Sequence, residues 1–303
     1  MISARCEVKD YLYNMLNDAM KNFIALALKE DVGGGDVTSE SSVPFDLMQK
    51  GYILAKEDGV VAGISVAEEV FKQVDSDLVF NAVTDDGEHV KFGDVVIELE
   101  GKARSILTGE RLALNFMQRM SGIATRTNEV VEILEGTPTK VLDTRKTTPG
   151  LRAFEKWAVA LGGGVNHRMG LYDMILLKDN HVDYAGGMSK ALEQVSEYQK
   201  ERNSKLPLVV ETRSFEEIDS ALRASSETGI TIERILLDNF SHLEVSDAVE
   251  RYSNEITLEA SGGITPENVR GYGEAGVAFV SMGYITHSVK SLDLSLKSTP
   301  NVI

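Results

Sequence analysis

Six short apolar runs after residue 138 each finish in side chains that carry charge or expose backbone amides: KVLDTRKT, DMILLKDNH, PLVVETRS, RILLDNFS, ITLEASGG and AFVSMGY. At their ends stand Asp143, Arg145 and Lys146, then Lys178 and Asp179, then Glu211, then Asp238 and Asn239, then Glu259, Ser261, Gly262 and Gly263, and finally Ser281 and Gly283. His167 and Arg168 join them from the loop GGGVNHRMG. Guanidinium groups grip carboxylates and phosphates in fixed orientation, lysine adds mobile charge, and acids can hold hydroxyls or a hard cation. One such residue after a strand is ordinary: Asp238, Asn239 and Ser241 could cap a helix, and Glu211 could pair with Arg213 on the surface. Recurrence at successive run ends gives the set meaning, because burying so many charges for stability alone is inefficient.

The glycines of SGGIT and SMGY, with a helix N-terminus expected at Thr265, suit a phosphate cradle. Gly33 to Gly35 and Gly162 to Gly164 fit no nucleotide fingerprint and read as turning loops. Among the histidines, His89, His242 and His287 read as surface or packing residues, and His181 as a brace for the loop after Lys178. Nothing has zinc-ligand spacing. A metal, if held by Glu211 and Asp238 with ligand phosphates, would be magnesium.

The elements that position these residues follow from the rhythm of the chain. Helical stretches such as MSKALEQVSEYQKERN, SFEEIDSALRASSE and HLEVSDAVERY separate the apolar runs, giving βαβ units and a parallel sheet. A closed barrel and an open doubly wound sheet both fit that rhythm, and in either the chemistry belongs at the carboxyl ends of the strands. Earlier, residues 12–29 have helical spacing, EDVGGGDVTS is turn-rich, and YILAKEDGVVAG and DVVIELEGKA alternate as antiparallel strands do. From Thr108, TGERLALNFMQRMSGIATRTNEVVEIL reads as a long amphipathic helix whose candidate break is Gly122. The division expected is an α/β domain over 1–115 and a catalytic β/α domain over 116–288, with a polar tail, 289–303, that packs back on the first domain or frays.

Composition narrows the ligands. In 303 residues, 31 Lys and Arg face 47 Asp and Glu, a net charge of −16 that repels nucleic acid and anionic membranes except where basic groups cluster. No apolar run approaches the ~20 residues needed to cross a bilayer. Cys6 is the sole cysteine, so neither an intrachain disulfide nor a cysteine metal cage can form. The opening MISARCEVKDYLYNML lacks the pattern of a secretory signal, and a cytoplasmic protein is expected.

The blocks DTRKTTPGLRAFEKWAVALGGGVNHRMGLYDMILLKDNH, LVVET, ILLDN, EASGGI, GERLALNFMQRMSGIAT and EDVGGGDVTSE together resemble the quinolinate phosphoribosyltransferase family over nearly the whole chain. The resemblance implies an N-terminal α/β sandwich, an incomplete parallel β/α barrel, and a homodimer in which the partner's N-terminal domain closes each barrel mouth. It implies transfer of a phosphoribosyl group from phosphoribosyl pyrophosphate (PRPP) to the ring nitrogen of quinolinate, with decarboxylation, in NAD biosynthesis, with magnesium and no organic cofactor. By motif, Arg111 would reach the neighbouring subunit's site. Arg145, Lys146, His167, Arg168 and Lys178 would line the quinolinate and diphosphate region. Glu211 and Asp238 would face ribose hydroxyls and magnesium, and Ser261, Gly262, Gly263 and Gly283 would hold the 5′-phosphate. Lys146, Lys178, Glu211 and Asp238 would be the catalytic groups. Competing readings are a lysine aldolase using Lys178, a paralogous barrel transferase with another acceptor, and a non-catalytic binder of phosphoribosyl ligands.

Overall fold

The structure is a computed structural model that describes residues 16–298. Cys6, the opening segment read for a secretory signal, the start of the helix expected over 12–29 and the last residues of the tail lie outside that range. The chain divides into two compact units: Met1–Asn128 with Thr148–Gly163 and Ser288–Ile303, and Glu129–Thr147 with Gly164–His287. That division falls later than the 115/116 boundary expected from sequence, because a single long helix runs through the boundary region, and it assigns a second helix and the tail to the first unit.

In the first unit, α1 (Asp18–Val32) and α2 (Val37–Ser42) precede β1 (Met48–Ala55), β2 (Gly59–Val60), α3 (Ile64–Val74), β3 (Val79–Ala82), β4 (His89–Val90) and β5 (Val95–Lys102). β1 and β5 alternate between buried and outward residues, as half-buried antiparallel strands must. With β12 (Leu294–Ser298) and β3 they form a sheet in the order β12-β1-β5-β3. Ile53, Ile97 and Leu99 from the sheet and Val66, Val70 and Phe71 from α3 are buried with Met117 and Met120. The helix α4 (Ala103–Ile133) is continuous, so the break considered at Gly122 does not occur. Gly122 is there for space: a Cβ would meet the Lys290 carbonyl and, at 3.0 Å, Cα of Ser291. At α3, the Asp86 carboxylate accepts the N–H groups of Gly63, Ile64 and Ser65, answering donors that a helix start leaves open. The last helix of this unit is α5 (Arg152–Leu161), whose buried Glu155 accepts from Arg119 Nη2 at 2.8 Å.

The second unit carries six parallel strands: β6 (Lys140–Leu142), β7 (Ile175–Leu177), β8 (Leu208–Thr212), β9 (Arg234–Asp238), β10 (Thr257–Ser261) and β11 (Phe279–Ser281). Their order is β6-β11-β10-β9-β8-β7, and the helices α6 (Asp179–Ala185), α7 (Met188–Glu201), α8 (Phe215–Thr228), α9 (His242–Tyr252) and α10 (Val269–Glu274) connect successive strands. Strand interiors such as Val209, Val210, Ile235 and Leu237 are fully buried, as strands covered on both faces require. Each such side chain contributes roughly 1.5–3 kcal/mol of transfer free energy. Helix ends are set locally. Ser214 caps α8 by accepting from Glu217 N, Gly229 ends it in a left-handed turn, and Ser241 with Glu244 forms a capping box on α9. β6 and β7 are the outer strands of the ladder, but Val165 bridges in parallel to Leu142 beside β6. The sheet is therefore an incomplete β/α barrel, which settles the choice that periodicity left open. Among the described residues no helix is long and apolar enough to cross a membrane.

Candidate active site

The second unit holds a cavity of about 650 Å³ at the carboxyl ends of its strands. Arg145, Lys146, His167, Arg168, Lys178, Glu211, Asp238, Ser261, Gly262, Gly263 and Gly283 all line it, so the substrate-binding residues that the resemblance implies converge, with one exception. That exception is Arg111, which stands exposed on α4 in the first unit. Two other strand-end residues do different work. Asp143 is fully buried and accepts from Asn166 Nδ2 at 2.6 Å and His167 N at 2.8 Å, which anchors the NHR loop. Asp179 sits outside the cavity lining, 3.6 Å from Arg213.

The basic wall follows β6 and the loop before β7. Arg145 and Lys146 are exposed, and among the described residues neither side chain makes a hydrogen bond or salt bridge. Their backbone is fixed instead: Lys146 N donates to Thr144 Oγ1, and Thr286 Oγ1 donates to Lys146 O at 2.8 Å. Arg168 is 8% exposed. Its Nη1 donates to the Met174 carbonyl at 3.1 Å, and the loop beyond it is tightened by Asp173, which accepts from Met169 N and Gly170 N. Burial, and then the neighbouring Arg145 charge, push the Arg168 guanidinium below its ordinary range, with Asp173 opposing. Two guanidinium groups that repel one another at a cavity wall suit a multiply charged anion.

The acidic wall follows β8 and β9. Glu211 does not pair with Arg213, the surface alternative; its Oε2 accepts from Lys178 Nζ at 2.7 Å, while Arg213 bonds Glu217. The Lys178 backbone N–H donates to His181 Nδ1 at 3.0 Å, so His181 does brace that loop. Asp238 accepts from Asn239 Nδ2 and lines the cavity, and the helix cap falls to Ser241. Glu211 and Asp238 offer hard oxygen donors, and no cluster of three or more metal-ligating side chains exists among the described residues. That donor set suits a hard cation that a ligand's phosphates also hold.

Between the walls lie the glycine loops of β10 and β11. Gly262 and Gly263 take φ +98° and +59°, and Asn239 itself sits at φ +60° with its N–H on Ser261 O. A Cβ at Gly262 would enter the Asn239 side chain, so the loop requires glycine there. The helix expected at Thr265 starts later, at Val269 as α10, because Asn268 Oδ1 accepts from Thr265 N and holds a turn first. The N–H groups available there are therefore those of a loop, not of a helix N-terminus. Gly283 packs against the Lys146 stem and the His287 ring at the end of α11 (Tyr284–His287). His287 is exposed and packs on Gly283, as a surface or packing residue should, and it also lines the cavity. His242 does pack, edge-on to Tyr272 with ring centroids 4.3 Å apart.

The cavity floor contains a cluster that sequence reasoning only half found. Glu259 is fully buried on β10, with Ser281 Oγ donating to it and Arg234 Nη1 3.1 Å from its Oε2. Burial pushes the Glu259 carboxyl up; Arg234 and Ser281 pull it back, and Glu211 adds to the push. Arg234 carries no strand-end signal because it begins its strand, yet it lies two and four residues before Leu236 and Asp238, on the same face.

Comparison with known proteins places this geometry. The model of the quinolinate phosphoribosyl transferase C-terminal domain matches residues 123–297, and that of the N-terminal domain matches residues 36–121. The chain is 46% identical over 288 residues to quinolinate phosphoribosyltransferase [decarboxylating] 1b of Nicotiana tabacum, covering 92% of this chain and 82% of that one. It is 40% identical over 270 residues to the probable nicotinate-nucleotide pyrophosphorylase [carboxylating] of Bacillus subtilis, covering 89% and 90%. The solved structure of the nicotinate-nucleotide pyrophosphorylase from Francisella tularensis superposes with a TM-score of 0.87 at 35% identity, covering 93% of this chain and 96% of that one.

Proposed function

The chain belongs to the quinolinate phosphoribosyltransferase family, and from that premise we propose how its cavity turns quinolinate into nicotinate mononucleotide for NAD biosynthesis. The observation that carries the reading is the meeting of Arg145 with the buried Arg168 on one wall, beside glycine loops that suit a phosphate. Quinolinate carries two adjacent carboxylates on a rigid ring, and paired guanidinium groups hold them in a fixed plane. PRPP lies along the glycine loops with its 5′-phosphate on the amides of Ser261, Gly262, Gly263 and Gly283. Its diphosphate faces Lys146 and Lys178, and its ribose hydroxyls face Glu211 and Asp238.

With the acceptor fixed, the pyridine nitrogen's lone pair forms the bond to the anomeric carbon as the bond to pyrophosphate breaks. Positive charge develops on the ribose ring, and the Glu211 and Asp238 carboxylates stabilise it, while Lys146 and Lys178 stabilise the departing anion. The alkylated ring nitrogen then withdraws the electron pair of the adjacent carbon–carboxylate bond, and carbon dioxide leaves. A proton replaces it on the ring carbon. Positioning and electrostatics suffice, with no protein nucleophile, so Lys178 acts as a charge and not as a Schiff-base former. Bound magnesium would neutralise the diphosphate, with Glu211 and Asp238 as its protein ligands.

The same reading takes the protein to be a cytoplasmic homodimer in which the exposed Arg111 completes the partner's site. A test of the reaction combines quinolinate, PRPP and magnesium and follows nicotinate mononucleotide and carbon dioxide together. Equimolar formation of both is expected, and absence of the nucleotide would refute the reading. Mixing the impaired variants Arg111→Ala and Arg145→Ala should raise activity above that of either alone, since hybrid dimers regain one intact site; no recovery would remove the shared site.

A further inference from the structure

Beneath the groups that face substrate lies a buried polar cluster to which the reaction above gives no role. Glu259 is at its centre, fully buried among β9, β10 and β11. One carboxylate oxygen accepts from Ser281 Oγ; the other lies 3.1 Å from Arg234 Nη1, an ion pair whose N–H groups are not aligned on that oxygen. Arg234 is itself 6% exposed, with its guanidinium over the Phe279 ring at 4.7 Å. A buried ion pair contributes little net stability after desolvation, so packing alone is a weak reason for such a cluster.

The third neighbour of Glu259 connects the cluster to the cavity wall. His167 Nε2 lies 3.6 Å from Glu259 Oε1, and the His167 side chain is 7% exposed. On the other side of the ring, Nδ1 accepts the backbone N–H of Arg168 at 2.7 Å. An Nδ1 that accepts has its lone pair free of a proton, so the neutral ring carries its proton on Nε2, turned toward Glu259. The His167 backbone N–H is meanwhile held by Asp143 Oδ1 at 2.8 Å. Ring and backbone are thus clamped from two strands, and the residue that follows is Arg168.

We propose that Glu259, anchored by Arg234 and Ser281, is a positioning residue: it holds His167 in the Nε2–H tautomer, and that ring fixes the backbone from which Arg168 reaches the dicarboxylate. The kinetic consequence rests on the transferase reading; the tautomer does not. Loss of the Glu259 carboxylate removes the negative charge that Nε2–H faces at 3.6 Å, the ring samples other orientations, and the Arg168 amide loses its partner. The effect falls on the acceptor and spares the donor, because the glycine loops hold PRPP independently.

The test is ¹⁵N NMR of the histidine rings in the substrate-free, full-length protein, with His167 assigned by the signal lost in His167→Asn. The wild type is expected to show an unprotonated Nδ1 and a protonated Nε2. A proton on Nδ1 overturns the proposal, even if no variant folds. Glu259→Gln should give mixed tautomers and raise KM for quinolinate about tenfold, the scale of a small misplacement of a binding group, with KM for PRPP within about twofold. An unchanged spectrum, or equal rises in both constants, overturns the positioning role. Wild-type protein that shows the Nε2–H ring but no transferase activity would refute the transferase reading alone.

Discussion

The two walls of the barrel cavity are charged in opposite ways and are also wired differently. On the β6 side Arg145 and Lys146 make no side-chain hydrogen bond or salt bridge among the described residues, and Arg168 is held to a neutral carbonyl. On the β8 and β9 side Glu211 already holds Lys178 at 2.7 Å. The first wall sets exposed positive charge against a buried guanidinium, a repulsion that the Asp173 carboxylate offsets only in part. The second wall pairs Glu211 with Lys178 and keeps Asp238 as its net negative group. A rigid dianion suits the first wall, and a donor whose charge is shared with a cation suits the second.

Substitutions on the two sides should therefore separate the substrates. Arg145→Ala removes a charge-assisted grip worth roughly 2–3 kcal/mol, so kcat/KM for quinolinate should fall about a hundredfold, with KM for PRPP little changed in steady-state kinetics. An equal loss for both substrates would dissolve the distinction between the walls. Glu211→Ala should cost about tenfold, seen in kcat and in KM for magnesium–PRPP, because Lys178 is left without its partner, the ribose loses a stabilising carboxylate and, on the proposed reading, the cation would lose one ligand. If quinolinate KM moved instead, the assignment of the second wall would be wrong.

Glycine at the loop between the walls offers a smaller and more local probe. Gly262→Ala places a methyl group into Asn239 at a backbone φ of +98°, and a several-fold rise in PRPP KM is expected, with quinolinate KM steady. The smallest effect should come from outside both walls. Asp36 caps α2 by accepting from Ser39 N, and Asp36→Ala should cost about 1 kcal/mol in denaturant unfolding with neither KM altered. Ser39 holds the Asp36 carboxyl below its ordinary value of 3.8, so this stability is present above that pH and is lost as pH falls through the lower folded-state value. Wild type and Asp36→Ala should accordingly converge in stability in acid.

Much of the site was legible because parallel strands put consecutive run ends on one rim, so position in the chain translated directly into position in space. What escaped depended on pairing and packing. Arg234 enters the floor through the register of β9 against β10, where Leu236 pairs with Glu259. His287 reaches the cavity because the short α11 turns back against Gly283. The incomplete barrel depends on β6 pairing with β11, a contact across most of the catalytic unit that no local pattern encodes. Gly122 looked like a helix break by propensity and proved to be a close approach inside an unbroken helix.

The claim that the arginine wall selects a dicarboxylate is tested most directly by the ratio of kcat/KM for quinolinate to that for nicotinate, which lacks the carboxylate beside the ring nitrogen. A wall built for two carboxylates should favour quinolinate by about 10³-fold or more, since the analogue leaves a charged group unpaired. A ratio near one would contradict it.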